Sequence, residues 1–334
     1  MAAYTAINDP EAYFQVQLYT GDGAANNAIT LDGDTDLQPD LVWIKNRDAT
    51  DSHCLFDAVR GATKVLHPDL GVAEATDADT LDSFTSDGFQ VDADVKVNTN
   101  AEKYVAWCWK ETADAGFDIV TYEGNLTART ISHNLSAVPH CMIVKNIDTT
   151  GGTNWSMYHH SLGNTYGMVL SEAEDKDDQA HYWNDTTPTS SVFSLGDGPQ
   201  TNGNADGASH VAYLWSEKQG FSKFGTYEGN YSTDGPFVYT GFRPAFIMLK
   251  HADGNDIWVM HDSKRPGYNS GNYFLRANAN TAEDTSNAIW VDFLSNGFKI
   301  LQTTSTLNTA DTYIYMAFAE APLVNSNGVP CNAR

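Results

Sequence analysis

The stretch YTGDG at Tyr19–Gly23 has two echoes, YEGN at Tyr122–Asn125 and again at Tyr227–Asn230. A four-letter echo in a glycine-rich chain carries weight only if other stretches recur at the same offset, and four others do. Pro39–Lys45 (PDLVWIK), Pro139–Lys145 (PHCMIVK) and Pro244–Lys250 (PAFIMLK) each place a lysine six residues after a proline, across an apolar run. HCLFD (His53–Asp57), WSMYH (Trp155–His159) and WVMHD (Trp258–Asp262) follow. Next come FTSDGF (Phe84–Phe89), PTSSVF (Pro188–Phe193) and FLSNGF (Phe293–Phe298). YVAWCWKE (Tyr104–Glu111), HVAYLWSE (His210–Glu217) and YIYMAFAE (Tyr313–Glu320) close the series. Five blocks in one order, three times over, predict a threefold internal repeat with a period of about 105 residues.

Each block is rich in Val, Ile, Tyr, Phe and Trp, and Gly, Asn, Asp, Thr and Pro separate the blocks, as in strands joined by turns. In FQVQLYT, Phe14, Val16 and Leu18 alternate with Gln15 and Gln17, the period of a strand. The runs after Pro39 and Pro139 are continuously apolar, as in strands buried on both faces. Asp-Gly and Asn-Gly pairs mark hairpins. Long helical periodicity is scarce, and only Gly71–Phe84 (GVAEATDADTLDSF) reads as one short helix. The expected fold is all-β: three tandem β-sandwiches, jelly-roll-like, over residues 1–111, 112–217 and 218–334, the last with a C-terminal tail. The linkers TADAG and KQG are short, so the units should pack on one another. Trp43, Phe56, Phe89 and Trp107 or Trp109 are the expected core of the first unit.

The chain of 334 residues has 43 acidic and 19 basic residues, a formal charge of −24. That balance argues against nucleic acid or an anionic membrane surface as the main partner. No apolar run approaches the roughly 20 residues of a membrane-spanning helix, and the first residues do not read as a signal peptide. The four cysteines, Cys54, Cys108, Cys141 and Cys331, read as free thiols in a reducing cytoplasm. The third unit carries 9 basic and 10 acidic residues, while the first two are strongly acidic. A self-association or docking surface is therefore expected there, around Lys264 and Arg265 and on the tail Pro322–Arg334, ending at Arg334.

The combination LYTGDG, QPDLVWIKNR, LFDAVRGATKVL, FTSDGF and YVAWCWKE resembles a repeat module in virion proteins of tailed phages, especially marine ones. The later stretches YSTDGPFVYTGFRPAFIMLK and DFLSNGFK resemble further copies of it. The resemblance spans Tyr13 to Arg334 and implies a non-enzymatic structural protein of the virion, of the tail-fibre or adsorption type. Assembly would occur in the host cytoplasm, with other virion proteins or copies of itself as partners and a trimer as the commonest arrangement. A capsid decoration protein or head fibre is the alternative. A glycan-binding module or a polysaccharide depolymerase would belong to another class.

Neither a nucleophile elbow nor a zinc-protease or phosphate-loop signature is present, so no catalytic residue and no cofactor is expected. His159-His160 aligns with Asp57-Ala58 and Asp262-Ser263, a polar slot that does not require histidine. Asp32-Gly-Asp34-Thr-Asp36 and Asp77-Ala-Asp79 have alternate carboxylates but lack the EF-hand glycine and distal glutamate, and Glu174–Asp178 reads as a charge run in a solvated loop, so no metal site is assigned. Lys45, Lys145 and Lys250, and Glu111, Glu217 and Glu320, read as salt bridges within a unit or as solvated strand ends. Sugars are gripped by flat aromatic faces with amides and carboxylates around them. HYWNDT and RPGYNSGNYF have that composition and give the candidate contacts Tyr182, Trp183, Asn184, Tyr268, Asn269 and Tyr273.

Overall fold

A computed structural model describes residues 4–148, 153–203, 207–266, 269, 271–286 and 289–331. The fold is all-β, with antiparallel sheets and, among the described residues, no helix longer than a single turn. Three sheets dominate. The first orders its strands Phe14–Thr20, Lys103–Trp109, Leu41–Asn46, Cys54–Asp57. The second runs Phe117–Glu123, Ser209–Trp215, Cys141–Asn146, Ser156–His159, then two short strands. The third runs Ser222–Glu228, Thr312–Pro322, Phe242–His251, Val259–Asp262, Leu275–Arg276. Smaller sheets accompany them, built on Asn27–Thr30 with Gly88–Val91, Arg129–Ser132 with Val192–Leu195, and Phe237–Tyr239 with Gly297–Ile300.

The apolar runs are explained by what lies on each side of them. In Leu41–Asn46, Val42 and Ile44 face a core shared with Phe89 and Val91 of the small sheet. Leu41 and Trp43 face a larger core shared by all three dominant sheets. Met142 and Val144 divide from Cys141 and Ile143 in the same way. The strand period of 2 is present, but both faces are buried and the sequence reads as continuous. At the hub of the large core, the Trp109 ring lies 6.4 Å from Trp215 and 5.6 Å from Phe318. Trp43, Phe56, Phe89, Trp107 and Trp109 are all buried.

Two local expectations change. Gly71–Phe84 holds no helix, only the short strand Ala75–Thr76 and the start of Leu81–Thr85. Asp77 turns the chain there: its carboxylate accepts from the Asp79 N–H at 3.1 Å and its carbonyl from the Thr80 hydroxyl at 2.7 Å. Such local bonds compete with a helix. Single-turn helices lie elsewhere, at Val95–Asn98, Pro199–Asn202 and Ser305–Asn308, with a fourth at Ala180–Trp183. The tail is tied down as far as it is described. Asn8 bonds Ser326 through both its amide oxygen and its amide nitrogen, each at 2.8 Å, and the Cys331 N–H donates to the Leu323 carbonyl.

Candidate functional site

The Tyr-x-Gly turns have a structural task. Tyr19, Tyr122 and Tyr227 donate their hydroxyls to the carbonyls of Val97, Thr201 and Leu307, at 2.8, 2.5 and 2.9 Å. Each phenol thereby satisfies a carbonyl of a single-turn helix. Each ring stacks at 5.0 Å on a ring of the neighbouring strand: Tyr104, His210 and Tyr313. Two residues after each tyrosine, a Cβ on Gly21, Gly124 or Gly229 would fall 2.2, 2.3 or 1.7 Å from a backbone oxygen. The next residue's N–H is caught by a buried asparagine. Asp22 donates to Asn98 at 3.0 Å, Asn125 to Asn202 at 3.1 Å and Asn230 to Asn308 at 2.6 Å. These asparagines were the part missed in the sequence; their nearly constant spacing was the available signal.

The three lysines are fully buried, and among the described residues none forms a salt bridge with a carboxylate. Lys45 donates to the carbonyls of Asn46 and Ala49, at 2.5 and 3.1 Å. Lys145 donates to the Asn146 carbonyl and the Thr153 hydroxyl, at 2.5 and 3.2 Å. Lys250 donates to the carbonyls of His251 and Gly254, at 2.6 and 2.8 Å. Burial pulls each ammonium down to about 8. The expected salt bridges are replaced by bonds that close the loop after the central strand. Two of the glutamates reach across sheets: Glu111 accepts the Ile119 N–H at 3.0 Å and Glu217 the Phe224 N–H at 2.9 Å. Glu320 pairs with Arg243 at 3.0 Å.

Between the sheets lie the densest polar clusters. Asp57 Oδ2 accepts from Arg60 Nε at 2.5 Å and, from the second sheet, the Tyr213 hydroxyl at 2.7 Å. Asp262 Oδ2 accepts from Arg265 Nε at 2.6 Å and, from the first sheet, Trp107 Nε1 at 3.2 Å. At the corresponding place in the second sheet stands His159, which reaches the Tyr315 carbonyl of the third sheet at 3.1 Å. Its Nδ1 accepts the Ser161 N–H, so Nε2 holds the proton. Burial drives this ring down to about 3, keeping it neutral. A second set of ties runs the other way. His53 reaches the Arg276 carbonyl, Trp155 the His67 and Leu70 carbonyls, and Trp258 the Val169 carbonyl. These groups are enclosed and mutually saturated, an arrangement suited to fixing sheets rather than transferring protons to a ligand.

The residues singled out for sugar contact do not form one site. Trp183 is fully buried and Tyr182 nearly so, both packed with Phe193, Tyr158 and Leu195. They present no stacking face, because the single-turn helix Ala180–Trp183 points its rings inward. Asn184 follows them, exposed, at φ 52°. Asn269 is exposed, and its side chain bonds the Phe293 backbone at 2.8 and 2.9 Å. Tyr273 is half-buried, and Tyr268 lies outside the described residues. For assembly, Arg265 is corrected: its side chain is enclosed, held by Asp262 and Glu283. Lys264 is exposed and pairs with Asp32 at 2.6 Å; Arg334 lies outside the described residues.

Among the described residues no three acidic, histidine or cysteine side chains gather as ion ligands. The Asp32–Asp36 loop is held instead through its backbone. The N–H groups of Asp32, Gly33 and Asp34 donate to Gln17, Gln15 and Glu11. Cys54, Cys108 and Cys141 are buried free thiols and Cys331 is exposed.

Fold and site together define an all-β protein whose recurring polar residues serve its architecture. The chain belongs to the family described as Domain of unknown function (DUF7483), which matches residues 9–322. No curated protein matches it.

Proposed function

We propose that this chain is a non-enzymatic structural protein of a tailed-phage virion, a tail-fibre or adsorption component, built of three tandem β-sandwiches over residues 1–111, 112–217 and 218–334. One observation carries the structural role: the ties between sheets follow one another in a closed cycle. Asp57 reaches from the first sheet to the second, His159 from the second to the third, and Asp262 from the third to the first. Such closure makes one stiff body, as a load-bearing part requires. The shared strand order of the three dominant sheets supports the three-copy reading, as do the recurring Tyr-x-Gly contacts. The sequence resemblance supplies the virion. Other virion proteins or further copies of the chain are the proposed partners, with host attachment the task.

Labelling purified virions with an antibody to this chain tests the proposal. Decoration of the tail or its fibres is expected. Label confined to the head would favour the decoration-protein alternative, and absence of the chain from virions would remove the reading altogether. The purified chain is expected to release no reducing ends from host polysaccharide; release abolished by one carboxylate substitution would make it a depolymerase.

A further inference from the structure

Three short strands occupy the same place in the small sheets, and one of them differs in what it exposes. Ile29 pairs with Phe89, Ile131 with Phe193 and Val238 with Phe298. All three aliphatic residues point into a core. The residues on either side of them face outward. They are Ala28 and Thr30 in the first strand, Thr130 and Ser132 in the second, and Phe237 and Tyr239 in the third. Phe237 is 47% exposed and Tyr239 55%. No packing requirement visible at the first two strands calls for an aromatic ring there.

Tyr239 stands on the wall of an open cleft of about 470 Å³ between the second and third sheets. A second exposed tyrosine, Tyr4 at 58%, lines it as well. Tyr4 is held in place because its neighbours are pinned: the Thr5 hydroxyl and the Ala6 N–H both donate to the Gln219 carbonyl. Gln219 is exposed and also lines the cleft. Gly241, at φ 86°, lies against Tyr239; a Cβ there would come within 3.6 Å of the phenol oxygen. Glu217 and Lys223 place one charge of each sign on the lining, and Thr240 is a further lining residue.

We propose that this cleft binds a neutral hexose-containing glycan between Tyr4 and Tyr239. The C–H face of a pyranose is apolar and slightly electropositive, and meets the negative face of an aromatic ring. Its hydroxyls need paired donors and acceptors, which an amide, a carboxylate and an ammonium supply. The balanced charges favour a neutral sugar over an anionic one. This proposal rests on the host-attachment reading, and replaces Tyr182 and Trp183 as the stacking surface.

The test is calorimetric titration of the full chain with maltose, cellobiose, lactose and mannobiose, each separately. Saturable binding of at least one is expected. Tyr239→Ala and Tyr4→Ala should each weaken it about tenfold, the loss of one stacking face. Tyr239→Phe keeps the face and should stay within about twofold, as should Tyr231→Ala, which alters an exposed tyrosine that does not line the cleft. Unchanged melting temperatures would show that each variant is folded. Binding to none of the four sugars, or equal binding by Tyr239→Ala, overturns the proposal. So does a change in sedimentation with Tyr239→Ala that leaves sugar binding intact, which would make the patch a protein contact. Virion labelling and sugar titration use separate samples, so either reading can fail alone.

Discussion

The Tyr213 hydroxyl donates to Asp57 Oδ2 at 2.7 Å, joining two sheets through a carboxylate that also holds Arg60. The two partners are unequal. Asp57→Ala strands the Arg60 guanidinium in the interior with Glu74 as its remaining carboxylate, and should cost about 3–5 kcal/mol. Tyr213→Phe leaves the ion pair whole and should cost about 1 kcal/mol. Denaturant unfolding measures both; equal losses would contradict this ranking. Arg265→Glu should behave like the first, as a folding defect, because Arg265 is enclosed.

Lys45, Lys145 and Lys250 give a pH dependence whose sign is fixed. Burial lowers each to about 8, against about 10.4 in an unfolded chain. Between those values the unfolded state binds more protons, so these groups make stability rise with pH from about 8 to about 10.5. Below about 8 both states are protonated and the burial cost is fully present. Lys250→Met should flatten that rise by up to one proton. Denaturation midpoints across this range would show it, and an unchanged slope would rule Lys250 out as a contributor.

Gly229→Ala places a methyl group 1.7 Å from the Thr309 carbonyl oxygen. The turn must open, at about 1–3 kcal/mol or more. Gly21→Ala and Gly124→Ala meet oxygens at 2.2 and 2.3 Å and should follow. Thermal melting is the readout; a Gly229→Ala variant that melts like the parent would mean the turn relaxes freely.

Two buried tryptophans should respond differently to the same change. Trp155 Nε1 donates to two carbonyls, of His67 and Leu70. Trp215 Nε1 is buried without an acceptor among the described residues and its ring packs against Phe117 at 4.9 Å. Replacement by Phe opens similar space at both sites, but only at Trp155 does it also remove hydrogen bonds, adding about 1 kcal/mol; the His67 carbonyl keeps the Leu70 N–H. Paired unfolding curves decide; an equal or larger loss at Trp215 would reject the hydrogen-bond argument.

The sequence by itself determined the strands, the turns and the residues that recur, because these obey local rules. An alternating or continuous apolar run makes a strand, and glycine is required wherever a Cβ would strike a backbone oxygen two residues after Tyr19, Tyr122 or Tyr227. Only the tertiary structure decided what lies against each face. Leu41–Asn46 reads as buried on both sides, yet nothing local says that Val42 and Trp43 enter different cores. HYWNDT has the composition of a sugar-binding loop, but the turn of Ala180–Trp183 sends its rings inward. Arg265 looks like a free surface charge until Asp262 and Glu283 close around it. Tyr4 and Tyr239, 235 positions apart, share a cleft because Gln219 pins the N-terminal segment beside the third sheet. Burial and proximity are set by distant segments, and composition within a loop carries no record of them.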